Sequence, residues 1–337
     1  MPSSSRRRAW VSAAVLAVII AVAAAVVLVT SVTGSEVDPA ASQSESALVE
    51  SSGDAALQTI PLPLGLQPEG ITSDRESTFY VGSLADGRVV RGDLENGATE
   101  VLVPGRTGRV AVGMRYDDRD EGRLWVAGGP TGAVTVYDAD SGRELGRWVV
   151  PGSGFLNDVT VTEDAAYVTD SQVQRLVVVP LADDGALPGP DAATTLPLTG
   201  DVAFDPDDFN ANGIIALDDD LLVLVQSNTG TLFLVDPATG VTDAVEGTEG
   251  DLVSGDGLER GAGRLFVVRG GGGNDVAVVR LRQNGRSARV ERLVTDPDLD
   301  VPTTATFADG RLWAVNARFD TEPTPTTEYT VVRVELD

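Results

Sequence analysis

The chain has 337 residues and contains neither Cys nor His; its 51 Asp and Glu residues outnumber 25 basic residues, all of which are Arg. This composition excludes a thiolate nucleophile, an imidazole base, disulfides and a zinc site built from Cys and His, and it leaves carboxylate, carbonyl and water as ligands for calcium or magnesium. A formal net charge of −26 repels phosphate backbones, so we expect no nucleic-acid partner.

The N-terminus carries the clearest topological signal. A basic segment, residues 1–8, ends in Arg6 to Arg8 and precedes an uncharged, apolar run over residues 9–32. The 24 residues of that run exceed the about 7–15 of a secretory h-region and suffice to cross a bilayer about 30 Å thick. We predict a transmembrane anchor that keeps residues 1–8 in the cytoplasm and places the rest outside the cell. A cleaved signal peptide, giving a secreted protein, is the alternative.

Two further segments follow. Residues 33–56 are rich in Ser, Ala, Gly and acidic residues, which predicts a disordered linker. Residues 57–337 consist of short apolar runs separated by turns of Gly, Asp and Asn, without the period of an amphipathic helix. This pattern predicts an all-β domain.

A short motif recurs through the predicted strands: a carboxylate or carboxamide, then Gly or Asp, then an aliphatic residue. Four copies begin at Glu69, Asn157, Asn212 and Asp256, whereas the copy at residues 112–114 lacks the ligand and the copy at 303–305 keeps only a hydroxyl. The six first positions are 43, 45, 55, 44 and 47 residues apart, which is about the length of one four-stranded propeller blade. We therefore predict a six-bladed β-propeller, closed by residues 57–62 as the outer strand of the last blade.

Propeller topology predicts which side chains share a face. The innermost strand of each blade begins at one face, and the loop that leaves the second strand lies beside that beginning. The four motif residues should therefore lie near Ser83 and near five residues expected to contact or support a substrate, namely Asp170, Asn228, Arg269, Asn316 and Arg318. The two arginines are suited to clamping an anionic substrate, and pairing with acidic residues at the surface of this protein is the alternative. The opposite face, with short turns such as residues 308–310, is expected to be inert.

The motif residues form an oxygen-only ligand set. Two carboxylates balance the charge of a divalent cation and two amide carbonyls add neutral ligands, so calcium is the expected cofactor, with another divalent cation as the alternative. An open coordination position would polarise a carbonyl or phosphoryl oxygen, while Asp256 acts as base or nucleophile. The alternative is a purely structural ion that holds the blades together.

In their order and residue types these motifs resemble the regucalcin and gluconolactonase-like six-bladed propellers of the calcium-dependent phosphotriesterase superfamily. The resemblance covers about Ile60 to Glu335 and implies that Glu69, Asn157, Asn212 and Asp256 bind a central calcium ion. The chain departs from the gluconolactonase branch at Phe155, where that branch has Arg, and it lacks the histidine of paraoxonases. We expect a membrane-tethered extracellular calcium-dependent hydrolase of a lactone, ester or related small molecule. The alternative is a non-catalytic calcium-containing propeller that binds a ligand or protein.

Overall fold

The computed structural model describes residues 57–248 and 250–336, so the predicted segments 1–8, 9–32 and 33–56 lie outside the described residues. Within the described part, the regular elements are strands, apart from a 3₁₀ turn at Arg119–Glu121. No helix in that part is long and apolar enough to span a membrane. The predicted all-β class is confirmed.

Six sheets follow one another along the chain and form the blades of a six-bladed propeller, as predicted. The first strand, β1 (Thr59–Pro61), belongs to the last blade. Blades 1 to 3 comprise β2 (Pro68–Ser73), β3 (Thr78–Ser83), β4 (Val89–Asp93), β5 (Thr99–Val103); β6 (Met114–Asp117), β7 (Arg123–Ala127), β8 (Ala133–Asp138), β9 (Glu144–Val149); and β10 (Leu156–Val161), β11 (Ala165–Asp170), β12 (Arg175–Pro180), β13 (Thr194–Pro197).

The last three blades follow the same up-and-down order. Blade 4 has an additional two-residue strand, β14, which pairs in parallel with β18 at the blade edge. Blades 4 to 6 comprise β14 (Thr199–Gly200), β15 (Ala211–Asp218), β16 (Leu221–Gln226), β17 (Thr231–Val235), β18 (Val241–Ala244); β19 (Leu258–Gly261), β20 (Arg264–Arg269), β21 (Asp275–Arg282), β22 (Ser287–Thr295); and β23 (Pro302–Ala308), β24 (Arg311–Asn316), β25 (Thr330–Val334) with β1.

Burial follows the position of a strand within its blade. Each sheet packs both faces against neighbouring blades near the axis, so β2 and β11 are buried at every residue, whereas the outer strands β5 and β18 are largely exposed. The core is accordingly divided into layers between blades. In the layer between blades 2 and 3, Trp125 and Trp148 stack with their ring centroids 5.8 Å apart.

The ring closes as the sequence predicts. Strand β1 pairs antiparallel with β25, with Thr59 opposite Val332, and Ile60 is completely buried between blades 6 and 1. The Gln58 side chain donates to the backbone carbonyl of Arg333 at 2.7 Å. This pairing covers the outer edge of blade 6.

We call the face at which the innermost strands begin the motif face, and the opposite one the turn face. Strand β24 returns to the motif face, β25 leaves it, and β1 runs antiparallel to β25. Strand β1 therefore starts at the turn face and ends at the motif face.

An ion pair crosses the central axis. Arg115 of blade 2 donates to Glu259 of blade 5 at 3.1 Å, and Arg75 of blade 1 contacts the other oxygen of Glu259 at 3.4 Å. Blades 2 and 5 stand opposite each other in a ring of six, and the Glu259 side chain is buried. Arg115 and Glu259 each lie three residues after the first motif position of their blade, so the pair bridges the channel below the motif face.

Candidate functional site

The motif residues lie where the innermost strands are distorted. In blades 1, 3, 4 and 6 the pairing with the second strand shifts register at the motif, for example between Pro68 and Ile71 and between Leu156 and Val159. Such β-bulges take residues out of the regular ladder and redirect their side chains. In blade 5, Asp256 lies two residues before the start of β19.

Hydrogen bonds at the motifs join one blade to the next around the motif face. They are Gly113 N to Asn157 O (2.8 Å), Gly213 N to Asp256 O (3.0 Å), Gly257 N to Thr303 O (2.8 Å) and Thr303 Oγ1 to Glu69 O (2.6 Å). The motif glycine permits this approach: a Cβ atom on Gly213 would lie 2.3 Å from the carbonyl oxygen of Asp256. The motif residues of blades 4, 5, 6 and 1 are thus consecutive neighbours.

Two serines fix the orientation of the motif carboxamides. Asn157 Nδ2 donates to Ser171 Oγ at 2.9 Å, and that hydroxyl donates to the carbonyl of Ala211 at 2.6 Å. Asn212 Nδ2 donates to Ser227 Oγ at 3.1 Å, which in turn donates to a carbonyl of the next motif loop. Because each hydroxyl gives its hydrogen to a carbonyl, it accepts from the amide NH₂ group. Both Oδ1 atoms are therefore left for a ligand.

Sequence reasoning did not identify these two serines. They follow their motif asparagines by 14 and 15 residues and lie directly after the second strand of the blade. A comparison of blades 3 and 4 at this offset would have found them.

The two motif carboxylates are short of partners. Glu69 Oε2 and Asp256 Oδ1 are buried and accept no hydrogen bond from the described residues. Burial, and then the charges of Asp256 and Asp158, raise the pKa of Glu69 well above its ordinary value. Burial and the charge of Asp158 raise the pKa of Asp256 to about 8, against a hydrogen bond from Asn212. Both groups would gain from a nearby positive charge.

A third acid, Asp158, lies just below them. It occupies the position where four of the six motif copies have Gly, and its carboxylate accepts the backbone N–H of Ile214 in the next blade at 3.0 Å. Burial raises its pKa to about 6, although backbone hydrogen bonds and Arg115 oppose the shift. Asp158 therefore connects the motif face electrostatically with the ion pair across the axis. Sequence reasoning assigned no separate role to it.

The predicted ligand set fits a hard cation in composition. The described residues contain no group of three or more Asp and Glu side chains that could hold a metal ion. The predicted set instead combines two carboxylates with two amide oxygens. The unpartnered oxygens of Glu69 and Asp256 are consistent with this set, because a cation would neutralise them.

An apolar wall stands beside this oxygen cluster. Leu84, Val112 and Phe155 form a buried cluster, and Phe209 and two further apolar side chains, Val110 and Phe319, pack against it. The rings of Phe155 and Phe209 meet edge to face with centroids 5.1 Å apart. Blade 2, which lacks a ligand in its motif, thus contributes Val112 to an apolar surface at the same face.

The predicted supporting residues are largely occupied by contacts of their own. The buried Asp170 carboxylate accepts the backbone N–H groups of Gly154 and Phe155, and those of Gln172 and Val173. It therefore organises the loop that carries Phe155. Ser83 donates to the carbonyl of Leu66 at 2.6 Å.

The two arginines are paired with nearby acids. Arg269 makes two hydrogen bonds to Asp275, at 2.7 and 2.6 Å, and Arg318 donates to Asp300 at 2.7 Å. Among the described residues, neither arginine makes a hydrogen bond or ion pair with a motif residue.

The two asparagines differ in what they leave free. Asn316 donates to Thr330 at 3.0 Å and accepts the N–H of Asp300, so it organises a loop. Asn228 donates to Asn210 at 3.3 Å, and its buried Oδ1 has no hydrogen-bond partner among the described residues.

Comparison with solved structures finds this fold in proteins of different kinds. The major Malassezia sympodialis allergen Mala s 1 is 16% identical with a TM-score of 0.63, covering 83% of this chain and 97% of that one. A streptogramin B lyase is 13% identical with a TM-score of 0.55, covering 83% and 100%. The WD40 repeats of RRP9 are 11% identical with a TM-score of 0.56, covering 82% and 98%. At such identities the similarity establishes the propeller fold alone.

No protein-family model matches the chain, and no curated protein matches it in sequence. The class that the structure defines is therefore the six-bladed β-propeller.

Proposed function

We propose that the motif face binds one calcium ion through Glu69, Asn157, Asn212 and Asp256, and that a lactone, ester or related small molecule is hydrolysed there. The observation that carries this proposal is the pair of buried carboxylate oxygens, Glu69 Oε2 and Asp256 Oδ1, that lack hydrogen-bond partners among the described residues. A buried, unpaired carboxylate is costly unless a proton or a cation neutralises it. Oxygen ligands of this composition favour calcium.

The two carboxylates are suited to different tasks. Glu69 is 6% exposed, whereas Asp256 is partly exposed and more accessible to water or a substrate. When bound, the calcium ion would supply a Lewis acid for a carbonyl or phosphoryl oxygen. We assign Glu69 to holding the ion and Asp256 to taking a proton from water or attacking the substrate. The wall formed with Phe155 offers a place for an apolar part of the substrate.

Calcium binding is tested by calorimetric titration of the EDTA-treated full chain with calcium chloride and, separately, magnesium chloride. We expect one calcium site in the parent protein, at least a tenfold weaker affinity in Glu69→Gln and at least a hundredfold weaker affinity in Asp256→Asn. Asp243→Asn removes the same charge from an exposed strand of blade 4 and should bind calcium like the parent. Parent-like affinity in the Glu69→Gln/Asp256→Asn double variant would overturn the site.

Hydrolysis is tested by measuring rates against calcium concentration on lactone, ester and phosphotriester substrates. Excess calcium should partly restore Glu69→Gln, because that variant loses mainly ion affinity. It should not restore Asp256→Asn, which also loses the group assigned to proton transfer or attack. Asn228→Ala should retain most activity. Full activity of Asp256→Asn at saturating calcium refutes its catalytic role.

The second candidate is a non-catalytic calcium-containing propeller that binds a ligand or protein. The contacts of Asp170, Arg269 and Arg318 favour it, because they engage three of the side chains expected to assist a substrate. A parent protein that binds calcium but turns over none of the three substrate classes decides for this candidate.

We also propose that residues 9–32 anchor the protein in the membrane with the propeller outside the cell. The support is the sequence pattern of a basic segment followed by a long apolar run. Protease treatment of intact cells should then remove the propeller, and alkaline extraction should leave the chain in the membrane fraction. A shorter, freely soluble product that begins after residue 32 establishes signal cleavage instead.

A further inference from the structure

A second concave site lies between blades 1 and 2, at the turn face. It is a groove of about 620 Å³, and its lining includes Asp74, Tyr80, Arg91, Tyr116 and Asp140. Asp74 follows the end of β2 that is remote from Glu69, and Asp140 lies in the turn between β8 and β9. The groove therefore opens on the face that the sequence analysis expects to be inert. Its volume is in the range of small-molecule sites.

Two tyrosines form an aromatic surface in this groove. Tyr80 of blade 1 and Tyr116 of blade 2 stack with centroids 6.0 Å apart and an angle of 12° between the rings. Tyr80 is only 5% exposed, yet its hydroxyl makes no hydrogen bond within the described part of the chain. The hydroxyl oxygen itself is not fully buried, so this side chain, which lines the groove, presents a free acceptor and donor to a ligand there.

The groove is strongly anionic. Five acidic residues line it against one basic residue, Arg91, which is already paired with Glu100 at 2.9 Å and with Asp140 at 3.4 Å. Asp74 Oδ1 accepts two backbone N–H groups of its own turn, which leaves Oδ2 free. Glu121 has no hydrogen bond or ion pair among the described residues. More than one carboxylate oxygen is therefore available to a cationic ligand.

We propose that this groove binds a small organic polyamine. Its ammonium N–H groups would donate to the Tyr80 hydroxyl oxygen and to the carboxylates of Asp74 and Glu121, while its methylene chain lies along the tyrosine rings. Charged hydrogen bonds are stronger than neutral ones, and aromatic rings attract alkylammonium groups. Several acids that retain free oxygens favour a ligand with two or more amines over a monoamine. A bare metal ion would make no use of the aromatic surface.

The test is calorimetric titration of the full chain with spermidine in 0.15 M salt, which screens the general attraction of an acidic protein for cations. We expect one site. Tyr80→Phe, which keeps the ring, and Asp74→Asn, which keeps the turn acceptor, should each weaken binding about tenfold. Asp243→Asn, which changes the net charge equally on blade 4, should bind like the parent. Glu69→Gln should also bind spermidine normally, which separates this site from the motif face.

Two outcomes overturn the proposal. The first is the absence of spermidine binding by the parent, or parent-like binding by both Tyr80→Phe and Asp74→Asn. The second is an equal loss in Asp243→Asn, which would mark the binding as non-specific. Tetramethylammonium, which has no N–H group, should bind at least tenfold more weakly than spermidine. Equal affinity for it would refute the assigned hydrogen bonds. Melting curves of each variant report whether it is folded.

Discussion

Replacing Asp256 with Asn should change the stability of the protein in opposite directions with and without calcium. The side chain keeps nearly the same shape but loses its charge. Without a cation, the buried carboxylate of the parent has a pKa raised to about 8, chiefly by burial and then by Asp158. The asparagine has no charge to neutralise. We therefore expect Asp256→Asn to stabilise the calcium-free protein at pH 8 and to destabilise the calcium-loaded one.

The sign follows from proton linkage. Below about pH 4 both the folded and the unfolded forms carry the proton on Asp256. Between about pH 4 and pH 8 the folded form retains a proton that the unfolded form has released, so the free energy of unfolding falls as the pH rises. Each pH unit costs about 1.4 kcal/mol, which sets an upper limit of about 5 kcal/mol over the interval. Because Asp256 is partly exposed, we expect about half of this, or about 2 kcal/mol.

The assay is thermal unfolding at pH 5 and pH 8, in EDTA and in excess calcium chloride. In EDTA at pH 8 the variant should melt about 5 °C above the parent, and the gap should shrink at pH 5. At a calcium concentration 100 times the parent's dissociation constant the parent gains about 2.7 kcal/mol, whereas a variant with a hundredfold weaker affinity gains only about 0.4 kcal/mol, which reverses the order. Asp243→Asn serves as the control for net charge.

Two results would refute this reasoning. One is a parent protein whose stability in EDTA rises between pH 5 and pH 8. The other is a variant that melts below the parent in both EDTA and calcium, since that would mean the carboxylate stabilises the fold directly.

Three further substitutions test the fold that supports the site. Arg115→Met leaves Glu259 without its partner across the axis and should destabilise the protein by about 3 kcal/mol in urea unfolding. Adding Glu259→Leu should recover part of this loss, and a loss below about 1 kcal/mol in Arg115→Met would contradict the role of the ion pair. Gly213→Ala should weaken calcium affinity and lower the melting temperature, whereas Gly189→Ala, with no atom within 4 Å of its added Cβ, should change neither. Ile60→Ala should cost about 3 kcal/mol in urea unfolding, and an unchanged urea midpoint would contradict ring closure by β1.

The blade count and the closing strand were predictable because they depend on local patterns. Each blade repeats the same order of apolar runs and turns, and the segment around Ile60 was the unassigned strand next to the first repeat. The bulges at the motifs were not predictable, since a register shift depends on pairing with the second strand. The orientation of Asn157 likewise depends on a hydroxyl from another strand.

The ion pair across the axis was beyond sequence reasoning for a different reason. Arg115 and Glu259 are 144 residues apart, and neither matches a motif. The pairing of Arg269 with an acidic residue could be anticipated from the sequence, because its partner Asp275 is only six residues away. The groove at Tyr80 combines residues from two blades that follow no repeat. Contacts of this kind between blades depend on the closed ring, so they cannot be predicted from the sequence of any one segment.

The direction of β1 determines which face of the propeller points away from a point of attachment. Both Leu57 and Leu336 lie towards the turn face, because β1 leaves that face and β25 runs back to it. A tether, a fluorescent label or a solid support joined at either position would therefore hold the molecule with the Glu69 side outward. Diffusing molecules would reach that side freely, whereas the groove at Tyr80 would face the point of attachment.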